Sequence, residues 1–273
     1  MVSDYIIEKI ESLPPLPKTI IEIEEFRQKP DKESFELLKI VEKDALIVST
    51  LLKVSNSAMF GFRSKVETAS KAINLLGINF TISIAIGGTV QNLLKTNLSA
   101  YGINSDDFMR ASNLATTLTS TWLSKVSFDL KEELILPALL QEAGKFILAD
   151  VIENEGKTEE FNIAIKSGKD VASLEKEIIG MTTSEITAKI FKHWKLSENL
   201  INVIEYVDDI EKCPAEYLER SQILEVIKII CNVTDAFSDE NIEKGIEKAK
   251  EYNFDVKSLE KAIEKIQDRL LDE

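Results

Sequence analysis

SFELLKIVEKDALIVSTLLKV, residues Ser34 to Val54, is the stretch from which the fold class is read. Leu38, Val41, Ala45, Val48 and Leu52 advance by three or four, which places them on one face of a helix. Leu37, Ile40 and Leu51 broaden that stripe, so a well-buried helix is expected, with Asp31 after Pro30 as its cap. Similar stripes run through Phe108 to Val126, Leu134 to Val151, Leu174 to Trp194, Leu200 to Val207, Ser221 to Phe237 and Asn241 to Leu271. β-Branched residues are common but do not alternate with polar ones, so strands are not indicated. The expected fold class is all-α.

Punctuation divides the chain. Leu13-Pro14-Pro15-Leu16-Pro17 cannot be interior helix, because proline lacks the amide proton and clashes with the preceding turn. It reads as an extended connector, with a new helix starting near Pro17. Asn97 to Asp107 reads as a loop and helix start, and Asp208 to Tyr217 as another loop. The expected organisation is a lead-in helix over 1–12, an N-terminal helical half over 13–100, a second helical half over 101–237 and a helical tail over 238–273. The two halves are expected to pack as one unit, and the tail to close onto it.

Composition narrows the function classes. A net charge of −14, from 47 acidic against 33 basic residues, opposes binding to nucleic acid, where Lys and Arg must neutralise phosphates. It also disfavours an anionic membrane surface. No apolar run reaches the ~18 to 20 residues a bilayer crossing needs; Ile73 to Ile86 is interrupted by Asn74, Gly77, Asn79, Thr81 and Ser83. Met1-Val2-Ser3-Asp4-Tyr5 has no basic region leading into an apolar stretch, so no secretion signal and a cytoplasmic location are expected. Cys213 and Cys231 form no C-x-x-C pair and read as packing residues.

Several segments resemble, in order, the HDOD family, the non-catalytic relatives of HD-domain phosphohydrolases found in bacterial signalling proteins. Leu13 to Pro17 is similar to its proline-rich lead-in. Lys43-Asp44-Ala45-Leu46 is similar to its Asp-Pro-x-Leu segment, with Ala45 in place of proline. Leu51-Leu52-Lys53-Val54-Ser55-Asn56-Ser57-Ala58 matches its Leu-Leu-x-x-x-Asn-Ser-Ala signature, Gly61 follows, and the segment ending Leu75-Leu76-Gly77 is similar to its Leu-Gly turn. The resemblance implies a multi-helix HD-like bundle, an N-terminal subdomain packed on a degenerate HD half. It singles out Asp44, Asn56, Ser57, Gly61 and Gly77 as signature or binding positions. Read locally, Asn56 and Ser57 suit the end of an apolar helix, where unpaired carbonyls need short polar side chains.

HD phosphohydrolases gather a divalent cation on histidines and aspartates around an adjacent His-Asp pair, because imidazole and carboxylate hold a metal that activates water. Here the matching stretch is Leu139-Leu140-Gln141-Glu142-Ala143-Gly144-Lys145: Gly144 and Lys145 keep the frame, with Gln141 for histidine and Glu142 for aspartate. The earlier histidine position reads Ala111, beside Ser112, and a later one falls near Thr183. The chain has a single histidine, His193, before Trp194. Asp106-Asp107, Glu132-Glu133 and Asp208-Asp209 read as solvated loops and helix starts. The resemblance therefore implies no catalytic residue, no metal and no cofactor. The expected role is a signalling module that binds partner proteins, with a divergent phosphohydrolase or a nucleotide or cyclic-dinucleotide receptor as the alternatives.

Overall fold

The computed structural model describes residues 2–57, 62, 64–94 and 96–271, and among them there is helix and no strand. The chain divides into two compact units, Pro14–Leu93 with Lys265–Glu273, and Met1–Leu13 with Leu94–Glu264. α1 (Val2–Glu11) belongs to the larger unit and buries Ile6 and Ile10 there. Its Tyr5 hydroxyl and Lys9 ammonium both reach Asp150, at 3.0 and 2.8 Å.

The smaller unit begins at the proline connector. Pro17 occupies the N-cap of α2 (Lys18–Arg27), where the missing amide proton costs nothing. The stretch Ser34 to Val54 is two helices rather than one: α3 (Ser34–Val41) and α4 (Ala45–Ser55). Asp44 makes the break, its carboxylate accepting from the Leu46 and Ile47 amides at 2.9 and 3.3 Å. The three-or-four spacing of apolar residues runs on across the break and so does not reveal it. The break does turn the buried face, which is Leu37 and Val41 on α3 and Ile47 and Leu51 on α4, while Ala45 is exposed. Nor does Asp31 cap α3; Glu33 stands at that N-cap without a side-chain bond. α5 (Ala69–Leu76) ends at Gly77, whose φ of 83° admits glycine readily. α6 (Ile78–Leu93) then departs at 118°. It is a core helix, and Thr81, Ser83 and Thr89 hide their hydroxyls by donating to carbonyls four residues back.

The larger unit resumes with a 3-10 turn, Ser99–Tyr101, in the segment read as a loop; it carries a core residue, Tyr101, 2% exposed. Asn104 and Asp107 form a reciprocal capping box at the start of α7 (Ser105–Leu123). Leu134 to Val151 is again two helices, α8 (Phe128–Leu140) and α9 (Lys145–Asn154), separated by the turn Gln141 to Gly144. After α10 (Thr158–Lys166), Leu174 to Trp194 divides at Gly180 into α11 (Val171–Ile179) and α12 (Thr183–His193). α13 (Glu198–Glu205) and α14 (Leu218–Ile230) follow. The tail is α15 (Asp239–Glu251) and α16 (Val256–Leu271), not one helix, with Asn253 at φ 58° between them. α15 lies directly on α14, where a Cβ on Gly245 would meet Ile230 Cγ1 at 2.2 Å. No single helix among the described residues is long and apolar enough to cross a membrane.

Candidate functional site

The turn Gln141 to Gly144 sits against the start of α12. A Cβ on Gly144 would meet the Thr183 carbonyl oxygen at 2.3 Å and the Thr187 amide nitrogen at 2.9 Å, so only glycine lets the two backbones approach this closely. The Gly144 amide donates to Thr187 Oγ1 at 2.8 Å. This contact delivers the next residue, Lys145, into the interior, where its side chain is 4% exposed.

Around that lysine five charges alternate in sign: Glu175, Lys145, Glu142, Lys228, Asp208. Lys145 Nζ lies 3.2 Å from Glu175 Oε1, 2.7 Å from Glu142 Oε2 and 3.0 Å from Thr183 Oγ1. Its charge also faces the Tyr101 ring, 4.9 Å from the centroid. Lys228 Nζ lies 3.5 Å from Glu142 Oε1 and 2.6 Å from Asp208 Oδ1. Glu175 is fully buried and accepts from the Tyr101 hydroxyl at 2.8 Å and from the Thr183 amide and hydroxyl at 2.6 Å each. Burial works against every ion here, and the neighbours decide the outcome. Burial would raise the Asp208 carboxyl, yet the Lys228 ammonium holds it down to about 2. Burial would lower Lys228, yet Asp208 and then Glu142 hold it well above an ordinary lysine. Lys145 is likewise raised, against its burial, by Glu142 and Glu175. Burial first, and Glu175 next, push the Tyr101 hydroxyl well up.

A helix N-terminus ordinarily welcomes anions through its free amides and dipole. At α12 those amides are already used by the chain's own carboxylates. Thr182 N donates to Glu185 Oε2 at 2.8 Å, Thr183 N to Glu175 Oε2 at 2.6 Å, and Ser184 N to Asp208 Oδ2 at 3.0 Å.

Of the degenerate positions named from sequence, Glu142 and Thr183 meet through Lys145. Gln141, 2% exposed, lies at the adjoining turn with Oε1 unpartnered, and Ala111 is buried and offers no donor. Asp208 is a correction: read as a solvated loop acid, it has a side chain only 5% exposed and pairs with Lys228. His193 is exposed at the end of α12. The signature positions lie in the other unit and do structural work. Asp44 caps α4; Asn56 donates to Leu52 O and Val66 O and accepts from Val66 N, at 2.7, 2.8 and 2.8 Å; Ser57 donates to Val54 O at 2.7 Å. Gly77 ends α5, and Gly61 lies outside the described residues.

The family model described as HDOD domain matches residues 13–210. The chain belongs to the HDOD domain family. Solved structures share its fold: an HDOD domain protein with unknown function from Geobacter sulfurreducens is 14% identical, with a TM-score of 0.74 over 99% of this chain and 94% of that one. A candidate phosphohydrolase from Shewanella amazonensis SB2B is 19% identical, with a TM-score of 0.75 over 97% and 95%. A candidate signal transduction protein from Marinobacter aquaeolei VT8 is also 19% identical, with a TM-score of 0.75 over 96% of this chain and 58% of that one. An uncharacterized protein of Treponema pallidum (strain Nichols) is 24% identical over 220 residues, which is 78% of this chain and 40% of that protein. The HDOD chain thus spans well under half the length of that curated relative.

The HD relatives' metal can be tested against this HDOD site by its donors. Glu142, which the resemblance sets against the HD aspartate, is engaged by Lys145 and Lys228, and Gln141 beside it carries an amide and no imidazole. A divalent ion placed about 4 Å from one of these ammonium groups would meet a repulsion of roughly 8 kcal/mol at an effective dielectric of about 20. Among the described residues no three His, Cys, Asp or Glu side chains converge as a cation site. The residues present do not fit a divalent metal. Lys228, the second cation of the cluster, lies on α14, beyond the 13–210 match.

Proposed function

We propose that this HDOD protein is a non-catalytic regulatory module that acts in signal transduction by binding protein partners. The observation that carries the reading is the buried Glu175–Lys145–Glu142–Lys228–Asp208 chain of ion pairs, which takes in Glu142, one of the two residues that the resemblance sets against the HD metal-binding pair. Two ammonium groups engage the three carboxylates that would otherwise attract a cation, and a core held by such ion pairs suits a scaffold. Nucleic acid is not an expected partner, given the −14 charge. The test joins metal analysis of the purified protein to assays of nucleotide and cyclic-dinucleotide hydrolysis, and to affinity capture with the full chain as bait. A specific co-purifying protein and no turnover are expected. Stoichiometric Mn²⁺, Fe or Mg²⁺, with turnover abolished in Glu142→Gln, would overturn the reading.

A further inference from the structure

Above the buried ion pairs, within the larger unit, lies a cavity of about 620 Å³, a volume in the range of small-molecule sites. Nine carboxylates and five lysines line it. Its lysines are largely spent within the chain: Lys145 and Lys228 on the floor, Lys244 on Glu240 at 2.6 Å, and Lys248 on Glu251 at 2.9 Å. Several of its carboxylates are spent too, but not all. Glu142 is 91% buried by side chain and its Oε2 accepts no hydrogen bond, although the Lys145 charge is 2.7 Å away. Glu247, on α15, makes no ion pair or hydrogen bond among the described residues. Glu225, on α14, has the Tyr252 hydroxyl as donor, and Lys248 only at 4.0 Å. Burial first, then the charges of Asp208 and Glu251, keep the Glu225 carboxyl above its ordinary range, against the pull of Tyr252 and Lys248. It is a carboxylate short of positive charge.

We propose that this cavity binds a linear organic polycation of the polyamine class, held by Glu225 and Glu247 above the buried ion pairs. Three observations select that class. The excess of carboxylates repels anionic nucleotides, and the α12 amides that would seat a phosphate are already taken. The carboxylates are dispersed rather than converging, so a point charge finds no cage among the described residues, whereas ammonium groups spaced along a flexible chain can meet separated acids. Glu225 and Glu247 come from α14 and α15, which pack directly on one another, so the two acids line neighbouring walls of the cavity. The inference deepens the regulatory reading by naming an input, and rests on that reading for its biological sense.

The experiment is calorimetric titration of the full chain with spermidine, with thermal unfolding in parallel, beside ATP, cyclic diguanylate and MgCl₂ at matched ionic strength. Saturable spermidine binding and a raised melting temperature are expected. Glu225→Gln with Glu247→Gln should weaken binding by about tenfold or more, the worth of a charge-assisted hydrogen bond. Glu247→Lys alters an exposed residue without disturbing the core, and should weaken it comparably, while Glu160→Gln on α10 should not. The proposal is overturned by absent spermidine binding, by equal binding to Glu247→Lys, by an equal response to MgCl₂, or by saturable nucleotide binding instead. A null result here leaves partner capture untouched, and detected turnover would sink the regulatory reading without touching the titration.

Discussion

Replacing Lys228 by Met tests the ion-pair chain directly. The methionine fills most of the lysine's apolar volume, so the chief loss is the charge that holds Asp208 and faces Glu142. An Asp208 carboxyl held at about 2 rather than 3.8 corresponds to about 2 kcal/mol of stability near neutral pH. Stranding a buried ion costs more than losing its partner's attraction, typically about 3 to 5 kcal/mol in all. A loss of about 3 kcal/mol at pH 7 is therefore expected. The pH dependence follows from the sign. With a depressed folded pKa, the Asp208 contribution is complete above the unfolded pKa near 3.8 and disappears as pH falls towards 2. Without Lys228, burial dominates and lifts the folded pKa above 3.8, so the ionised carboxylate destabilises until it takes up a proton. The deficit of the variant should thus be largest near pH 7 and shrink towards pH 4. Urea unfolding followed by tryptophan fluorescence reads the right part of the molecule, because Trp122 and Trp194 both lie in the larger unit. Adding Asp208→Asn should recover at least 1 kcal/mol, since the double variant strands no charge there. A deficit below about 1 kcal/mol at pH 7, or one that stays constant as pH falls, would refute the argument.

Gly144→Ala should cost at least about 3 kcal/mol or abolish soluble expression, because its Cβ would press on the Thr183 and Thr187 backbone; a melting temperature within a degree or two of the parent would contradict this. Asn56→Ala should destabilise by about 1 to 3 kcal/mol by orphaning Val66 N and O, and hydrogen exchange should show the Val66 amide losing protection. Introducing the HD phosphohydrolases' His-Asp pair with Gln141→His and Glu142→Asp should still not yield a metal site, since Lys145 and Lys228 remain. Stoichiometric Mn²⁺ by elemental analysis of that variant would show the lysines to be no obstacle.

Helical class and the proline connector are legible in the sequence, because each is set by neighbours a few residues apart; the Gly144-Lys145 frame is visible only through the family resemblance. The breaks are less so. Asp44 between α3 and α4, and Gln141 to Gly144 between α8 and α9, interrupt helices while the apolar spacing carries on across them. Periodicity reports helix, but neither its continuity nor, across Asp44, its buried face. Asn56 was legible as a helix-end residue, but its pairing with Val66 needed the loop to close.

What the sequence determined by itself is the loss of the imidazoles: one histidine in 273 residues cannot build an HD centre, whatever the fold does. What only the tertiary structure decided is what took their place. Glu175, Asp208 and Lys228 each sit in a local pattern no different from that of a solvated surface charge. A lone lysine in Ile227-Lys228-Ile229 was the faint signal. They become one cluster because Gly144 lets the start of α9 meet the start of α12 closely, and because α14 lays its lysine against them. Charge pairing falls off within a few ångströms, and apart from the local Glu142–Lys145 pair the partners are 20 (Asp208–Lys228), 30 (Lys145–Glu175) and 86 (Glu142–Lys228) positions apart in the chain, so the pairing exists only once the helices are packed.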